Sequence, residues 1–261
     1  MTNLPRAIAK PVYVADEKSY NTDFEEIKGR KAIVNEDDNS KVYSIMSDRY
    51  AVIQYDDALN EMERAINKNP EFGTPARNIT LIDDGAKMKV DYDFPKLSVD
   101  VDPKVGDLVN MRLTLQTAYD GSTMFSVLLG GMRLICKNGM VGSIQMANIR
   151  RIHCESLRKD ISNGFLEDTI HQFSMQAGIW KGWVDKIVGF EETKSIMEAM
   201  EMGQKDSIVL KEDMEREWNP EAPVTKWMLF NLITAFITHK VESEKKRLDL
   251  EYRARKAFYA R

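Results

Sequence analysis

A stretch of strict alternation in the middle of the chain constrains the fold more than any other feature. Its inward positions are Met111, Leu113, Leu115, Thr117 and Tyr119, and polar or small residues lie between them. Because successive strand side chains point to opposite faces, this pattern predicts a half-buried β-strand. Asp120-Gly121 is typical of a hairpin turn, and residues 124–129 return as an apolar strand. Gly130-Gly131 in that returning strand indicates a bulge or the close approach of another backbone.

Shorter patterns before this hairpin predict further strands and one helix. Residues 42–46 and 50–54 favour a strand pair, and a helix capped by Asp56 follows them. Residues 79–82 and 87–91 predict a second hairpin across Asp83-Asp84-Gly85.

Helical spacing dominates from Ile144 onward. The predicted helices cover residues 144–163, 165–176 (ending at Gly178), 194–202, 227–241 (capped by Thr225) and 247–261. Strands followed by helices indicate an α+β fold, an antiparallel β-hairpin sheet followed by a helical C-terminal half. We predict a polar N-terminal arm over residues 1–40 and a single α+β domain over 41–261, sheet-rich in 41–143 and helical in 144–261.

Composition and the chain termini narrow the environment. The longest apolar run, Trp227 to Ile237, is too short to span a bilayer. The N-terminus lacks the apolar core of a secretion signal, and Cys136 and Cys154 are then expected to be reduced thiols. We therefore expect a cytoplasmic protein, and no membrane partner. The net charge of −4 argues against coating duplex DNA through overall charge, so a nucleic-acid site must be a local patch.

Positive charge concentrates on the central hairpin and the helix predicted after it. The candidate nucleic-acid-binding residues are Arg112, Arg133, Lys137, Arg150, Arg151, Arg158 and Lys159. On a helix, Arg150, Arg151 and Arg158 fall within one arc, opposite the apolar side. Strand and helix could together present a groove for a phosphate backbone. A solvated helix face with ordinary ion pairs is the structural alternative, and the basic C-terminal segment is a second candidate surface.

No pattern in the sequence supports catalysis. His153, His171 and His239 are far apart and no C-x-x-C pair occurs, so neither a metal site nor a cofactor is predicted. The acidic residues between Asp83 and Asp102 alternate at strand spacing, which favours solvent-facing positions over a nuclease site. Phosphate-binding glycine motifs and the nucleophile elbow are absent from the sequence.

Two blocks of sequence resemble a known family. Residues 119–125 with 133–139, and Thr225 to Thr234 followed by His239, are similar to the central and C-terminal motifs of a family of phage- and plasmid-borne proteins built on a domain of unknown function. The similarity runs from about Lys41 to Phe258 and implies a bacteriophage origin. The predicted architecture also resembles, by analogy alone, phage single-strand annealing proteins of the Red beta, RecT and Erf kinds, which oligomerise and need no nucleotide.

The sequence thus predicts a phage-encoded, non-catalytic protein that binds single-stranded nucleic acid, forms homo-oligomers and takes part in annealing or recombination. A phage interaction protein that inhibits or redirects a host factor is the main alternative. A metal-dependent nuclease is the third.

Overall fold

The computed structural model describes residues 4–15, 24–123, 125–134, 138–141, 166, 169–218 and 223–259. Within these residues, eight strands form two antiparallel sheets. The small sheet has the order β1-β2-β3, with β1 at Ala7–Ala15, β2 at Phe24–Asn35 and β3 at Val42–Ser47. The large sheet is a meander of β4 (Ala76–Ile82), β5 (Lys87–Asp102), β6 (Asp107–Ala118), β7 (Ser126–Arg133) and β8 (Asn138–Val141).

The described helices follow the sheets, except for the first. They are α1 (Tyr55–Asn67), α2 (Thr169–Val184), α3 (Phe190–Ala199), α4 (Gln204–Glu217), α5 (Lys226–Lys240) and α6 (Glu244–Tyr259), with a 3₁₀ turn at Pro70–Phe72. This arrangement confirms the predicted α+β class. Among the described residues, none of the helices combines the length and the apolar character that a bilayer crossing requires.

The alternating segment forms the central strand pair, as predicted. Leu113 lies opposite Leu129 in the β6–β7 register, and both side chains are fully buried. The register continues without a shift through Gly130 and Gly131, so no bulge is present there. The close neighbours of Gly131 are side chains and not a backbone, since a Cβ on it would lie 2.5 Å from Val109 Cγ1 and 2.9 Å from Trp180 Cη2.

The N-terminal segment predicted to be a polar arm contains two strands. β1 pairs with β2, and β2 supplies the buried side chains Ile33 and Val34. β3 pairs with β2 and not with residues 50–54, which form no strand. The predicted 42–46/50–54 pair is therefore wrong, because the apolar end of β2 offers β3 a better partner.

Four tyrosines join the small sheet to the large one. The Tyr55 and Tyr119 rings stack at a centroid distance of 4.0 Å. The Tyr119 hydroxyl accepts from the Tyr55 amide at 3.1 Å, and the Tyr50 hydroxyl donates to the Ala118 carbonyl at 3.1 Å. From β3, Ser44 Oγ donates to the Tyr119 carbonyl at 2.9 Å, and the Tyr43 ring lies 5.3 Å from that of Tyr119. The two sheets therefore share one core at the Asp120-Gly121 turn.

The helix predictions that fall on described residues are correct in type but shifted in extent, and the N-cap of α1 is Gln54 and not Asp56, which lies in the first turn. Thr225 caps α5 as predicted, since its hydroxyl accepts from the Met228 amide at 3.2 Å. α2 continues through Gly178 because Trp180 and Trp183, which follow it, are anchored in the core. α3 begins four residues before its predicted start, and α4 was not predicted. The helix predicted over 144–163 lies outside the described residues.

Candidate nucleic-acid interface

Arg112 is held by carboxylates of the neighbouring strand. Its Nε and Nη2 lie 2.6 and 2.7 Å from the two oxygens of Asp93, its register partner on β5. The Asp91 Oδ2 lies 3.8 Å from Nη1. Burial opposes the charge of the guanidinium, but the hydrogen bonds that it donates to Asp93 and the negative charge of Asp91 outweigh burial and raise the pKa of Arg112. The cation is therefore neutralised within the sheet.

This pair belongs to a larger buried network. Lys89 Nζ lies 3.7 Å from Asp91 Oδ2 and 3.3 Å from Glu251 Oε1 of α6, and Thr114 Oγ1 donates to Asp91 Oδ1 at 2.6 Å. Burial opposes the charge of Lys89, yet Glu251 and Asp91 raise its pKa. The prediction that the carboxylates of β5 face solvent is wrong for Asp91, which is 7% exposed and contacts Lys89, Arg112 and Thr114.

Arg133 is likewise part of the fold. Its Nε lies 2.6 and 2.8 Å from the two oxygens of Asp107, a carboxylate whose side chain is 1% exposed. The indole nitrogen of Trp227 donates to the same carboxylate at 3.0 Å. Asp107 therefore connects the two sequence motifs, one on β7 and one on α5. A phosphate contact by Arg112 or Arg133 would require breaking these buried pairs, which is costly.

The other predicted contacts, Lys137, Arg150, Arg151, Arg158 and Lys159, lie outside the described residues. The structure brings Arg112 and Arg133 onto adjacent strands, β6 and β7, but each is directed to its own carboxylate.

An unpredicted set of cations lies at one end of the small sheet. Between the pairs Pro11↔Lys31 and Tyr13↔Glu26, residues 27–30 of β2 bulge out opposite a single residue of β1. Gly29 has a positive φ of 79°, which suits the bend, and its carbonyl accepts from the Asp48 amide at 3.3 Å. Arg30 then lies opposite Ser47, next to the turn that carries Arg49. We call Lys28, Arg30, Lys31 and Arg49 the basic rim.

The basic rim is open and its charge is not cancelled by ion pairs within the described part of the chain. Lys28, Arg30 and Arg49 are exposed, and Lys31 Nζ donates to the Asp48 carbonyl at 2.8 Å, not to a carboxylate. Asp48 and Glu26 are the described carboxylates nearest to these four cations along the chain, so the group keeps a net positive charge. Tyr13 lies opposite Glu26 beside the bulge and is 53% exposed, which leaves a ring free beside the cations.

The basic rim does not follow from the sequence pattern, because residues 16–40 are polar and charged and predict no secondary structure. The run Lys28-Gly29-Arg30-Lys31 was the available clue, since a glycine among cations suits a bulged, exposed backbone. Over the described ranges, no group of three or more His, Cys, Asp or Glu side chains is arranged to hold a metal ion.

Comparison with known proteins places the chain in a family. Residues 42–258 match the model described as domain of unknown function (DUF932). The chain belongs to this family. Neither the curated proteins nor the solved structures include a match. The family region begins at β3, so β1 and β2 precede it, and the basic rim combines three residues from outside the match with Arg49 from inside it.

Proposed function

We propose that this protein binds single-stranded nucleic acid through phosphate contacts and without catalysis. The observation that carries the proposal is the basic rim, in which four cations and two carboxylates, Glu26 and Asp48, lie at one end of the small sheet, with no ion pair from these cations to a described carboxylate. Such a cluster attracts a polyanion because binding releases the counterions condensed on the phosphates.

The shape of the basic rim suits a single strand. Tyr13 offers an exposed ring on which a base can stack, next to cations that can follow the backbone. Arg30 and Arg49 can each bind a phosphate with two parallel N–H donors. Contacts of this kind carry little sequence information, so we expect weak sequence preference.

The predicted cations Lys137, Arg150, Arg151, Arg158 and Lys159 remain part of the proposal as further phosphate contacts. Arg112 and Arg133 do not, because their carboxylate partners already occupy them. We retain the phage origin, the cytoplasmic location and the link to annealing or recombination as proposals that accompany nucleic-acid binding.

Fluorescence anisotropy with labelled oligonucleotides tests the proposal directly. Affinity should fall as salt rises, with a slope in the log-log plot of about 0.7 per phosphate contacted. The variant Lys28→Ala, Arg30→Ala, Arg49→Ala should reduce that slope by about 2 if each cation meets one phosphate. The matched control replaces three exposed lysines of the helical region, Lys181→Ala, Lys205→Ala and Lys240→Ala, and makes the same change in net charge.

The two variants separate local binding from overall charge. Equal loss in both would show that only net charge matters, and the basic rim would then not be the site. A third variant, Arg150→Ala, Arg151→Ala, Arg158→Ala, measures the share of the predicted helix. Absence of binding by the unaltered protein at low salt would refute the proposal as a whole.

A further inference from the structure

A small polar pocket lies between the end of α1 and the first two strands of the large sheet. Its volume is about 210 Å³. The residues that line it come from one face of α1, from the segment before β4 and from a cross-strand pair of β4 and β5, and they are Glu63, Ile66, Asn67, Pro75, Arg77 and Tyr92. None of them belongs to the basic rim, so the pocket is separate from the proposed nucleic-acid site.

The Tyr92 hydroxyl is buried at this pocket without a hydrogen-bond partner. The residue is 1% exposed, and no described atom forms a hydrogen bond with its hydroxyl. Burial and the charge of Glu63 raise the pKa of Tyr92, whereas the charge of Arg77 lowers it, so the hydroxyl end is turned toward these two lining residues. Such a hydroxyl is destabilising, because folding removes its water and supplies no other partner. The pocket therefore holds a donor that lacks an acceptor.

Arg77 and Glu63 form an ion pair between β4 and α1 at the same pocket. Their side chains are 44% and 39% exposed, so solvent screens the attraction and the pair contributes little to stability. Separation of the two charges therefore costs little, provided that each charge finds another partner. A ligand that supplies both partners can open this pair.

The pocket presents donors on its sheet side and acceptors on its helix side. Arg77 and Tyr92 are directly opposed on β4 and β5, so one carboxylate can accept from the guanidinium and from the hydroxyl. Glu63 on α1 can accept from an ammonium, and Asn67 offers an amide oxygen one helical turn away. A lone anion would leave Glu63 without a cation, and a lone cation would leave Arg77 without a carboxylate. A zwitterion replaces both halves of the ion pair.

The volume and the apolar part of the wall set the size of the ligand. About 210 Å³ is the liquid volume of about seven water molecules. Ile66 and Pro75 supply apolar surface next to the charged groups. An α-amino acid with a small aliphatic side chain, such as valine, matches this combination of size, charge and apolar surface.

We propose that this pocket binds a free α-amino acid with a small aliphatic side chain. The carboxylate lies between Arg77 and Tyr92, and the ammonium lies against Glu63. The aliphatic side chain contacts Ile66 and Pro75. Binding supplies the acceptor that the Tyr92 hydroxyl lacks and exchanges one exposed ion pair for two. The association does not depend on nucleic acid, so it can be tested alone.

Isothermal titration calorimetry on the full-length protein without nucleic acid gives the first measurement. The probes are L-alanine, L-valine and L-leucine, together with two analogues of valine that each lack one charge. Isobutylamine lacks the carboxylate and 3-methylbutanoate lacks the ammonium. We expect the tightest of the three amino acids to bind with a Kd below about 1 mM, and each analogue to bind at least about tenfold more weakly than valine.

Two results of the titrations would overturn the proposal. One is the absence of binding by all three amino acids in this range. The other is equal affinity for L-valine and 3-methylbutanoate, which would show a simple anion site. Because no oligonucleotide is present, failure here leaves the proposed nucleic-acid binding untouched.

The variant Tyr92→Phe gives a result that a loss of structure cannot imitate. It removes a hydroxyl that has no partner in the free protein, so the melting temperature without ligand should stay the same or rise. Affinity for L-valine should nevertheless fall about tenfold. A lower melting temperature of the free variant would show that the hydroxyl has a structural partner, and unchanged affinity would show that it does not contact the ligand. Either outcome contradicts the site.

Charge variants test each end of the ligand separately. Glu63→Gln should remove most of the preference for L-valine over 3-methylbutanoate, and Arg77→Met should remove most of the preference over isobutylamine. The matched control is Arg64→Met, which breaks a pair with Glu61 on the same helix outside the pocket and should bind L-valine normally. Equal loss of affinity in Arg64→Met and Arg77→Met would assign the effect to overall charge and would overturn the proposal.

Discussion

The indole N–H of Trp227 donates a 3.0 Å hydrogen bond to Asp107 Oδ2, the same carboxylate that holds Arg133. The three residues come from α5, β6 and β7, so the bond fastens the helical half to the large sheet. Asp107 is fully buried, and its charge has these two donors as described partners. Removal of either donor should therefore lower the stability of the whole fold.

The variant Arg133→Met should destabilise the protein strongly. It leaves the Asp107 carboxylate buried without its cation, a change that typically costs about 3–5 kcal/mol. Chemical denaturation measures the loss, and Asp107→Asn combined with Arg133→Met should recover part of it. The control is Lys104→Ala, which breaks an exposed pair with Asp185 and should change stability by less than about 1 kcal/mol. Equal effects of the two substitutions would contradict the structural role of Arg133.

A matched pair of arginine substitutions separates stability from binding. Arg112→Met should lower the free energy of unfolding by about 3 kcal/mol because Asp93 and Asp91 lose their partner in a buried network. Oligonucleotide affinity of the folded variant should stay unchanged. Arg30→Met should do the reverse, with little effect on unfolding and a salt slope smaller by about 0.7. A loss of affinity in Arg112→Met would restore that residue to the interface.

Tyr13 should contribute to affinity through its ring. Tyr13→Ala should weaken oligonucleotide binding by about 1–3 kcal/mol if a base stacks there, whereas Tyr13→Phe should bind normally. Anisotropy titrations of both variants at one salt concentration provide the measurement. Similar affinity for the alanine and phenylalanine variants would exclude stacking on this side chain.

Gly131 leaves no room for a methyl group. An added Cβ would lie 2.5 Å from Val109 Cγ1 and 2.9 Å from Trp180 Cη2, so Gly131→Ala should destabilise the fold by about 1–3 kcal/mol through overpacking. Thermal unfolding provides the measurement. Val109→Ala in the same chain should relieve part of the loss, and a simple sum of the two single effects would refute the contact.

Alkaline pH should unfold the protein through its buried tyrosines. Burial raises the pKa of Tyr50, Tyr55, Tyr92, Tyr119 and Tyr259 above the ordinary value of 10. The folded state then binds more protons than the unfolded state, so stability is intact below pH 10 and falls as pH rises above it, by about 1.4 kcal/mol per pH unit for each group. Spectrophotometric titration should show five tyrosines ionising only together with loss of the folded circular dichroism signal.

The local sequence pattern predicted the positions of the strands better than it predicted the ion-pair partners of the charged residues. The alternation from Met111 to Tyr119 predicted β6 correctly because one face of that strand meets the core. The pairing of Arg112 with Asp93 depends on strand register, and the pairing of Arg133 with Asp107 depends on which residues lie on the adjacent strand. Neither follows from the spacing of charges along the chain.

The N-terminal strands escaped prediction for a related reason. Among the residues 26–35 of β2, whose side chains are described, the buried apolar ones are Ile33 and Val34, and many of the others are charged, so the local pattern resembles that of a solvated arm. Its order derives from pairing with β1 and β3 on both sides. The basic rim depends on the same pairing, because the bulge at Gly29 appears only when β2 is placed against its neighbours.

The tyrosine contacts at the Asp120-Gly121 turn have a practical consequence for work on this family. Shortening the chain to the matched region would delete β1 and β2, strip β3 of its only sheet partner among the described strands and uncover the tyrosine stack beneath it. A fragment that begins at residue 42 should therefore fold poorly and aggregate. A chain limited to residues 42–258 would therefore lack two of the three strands of the small sheet.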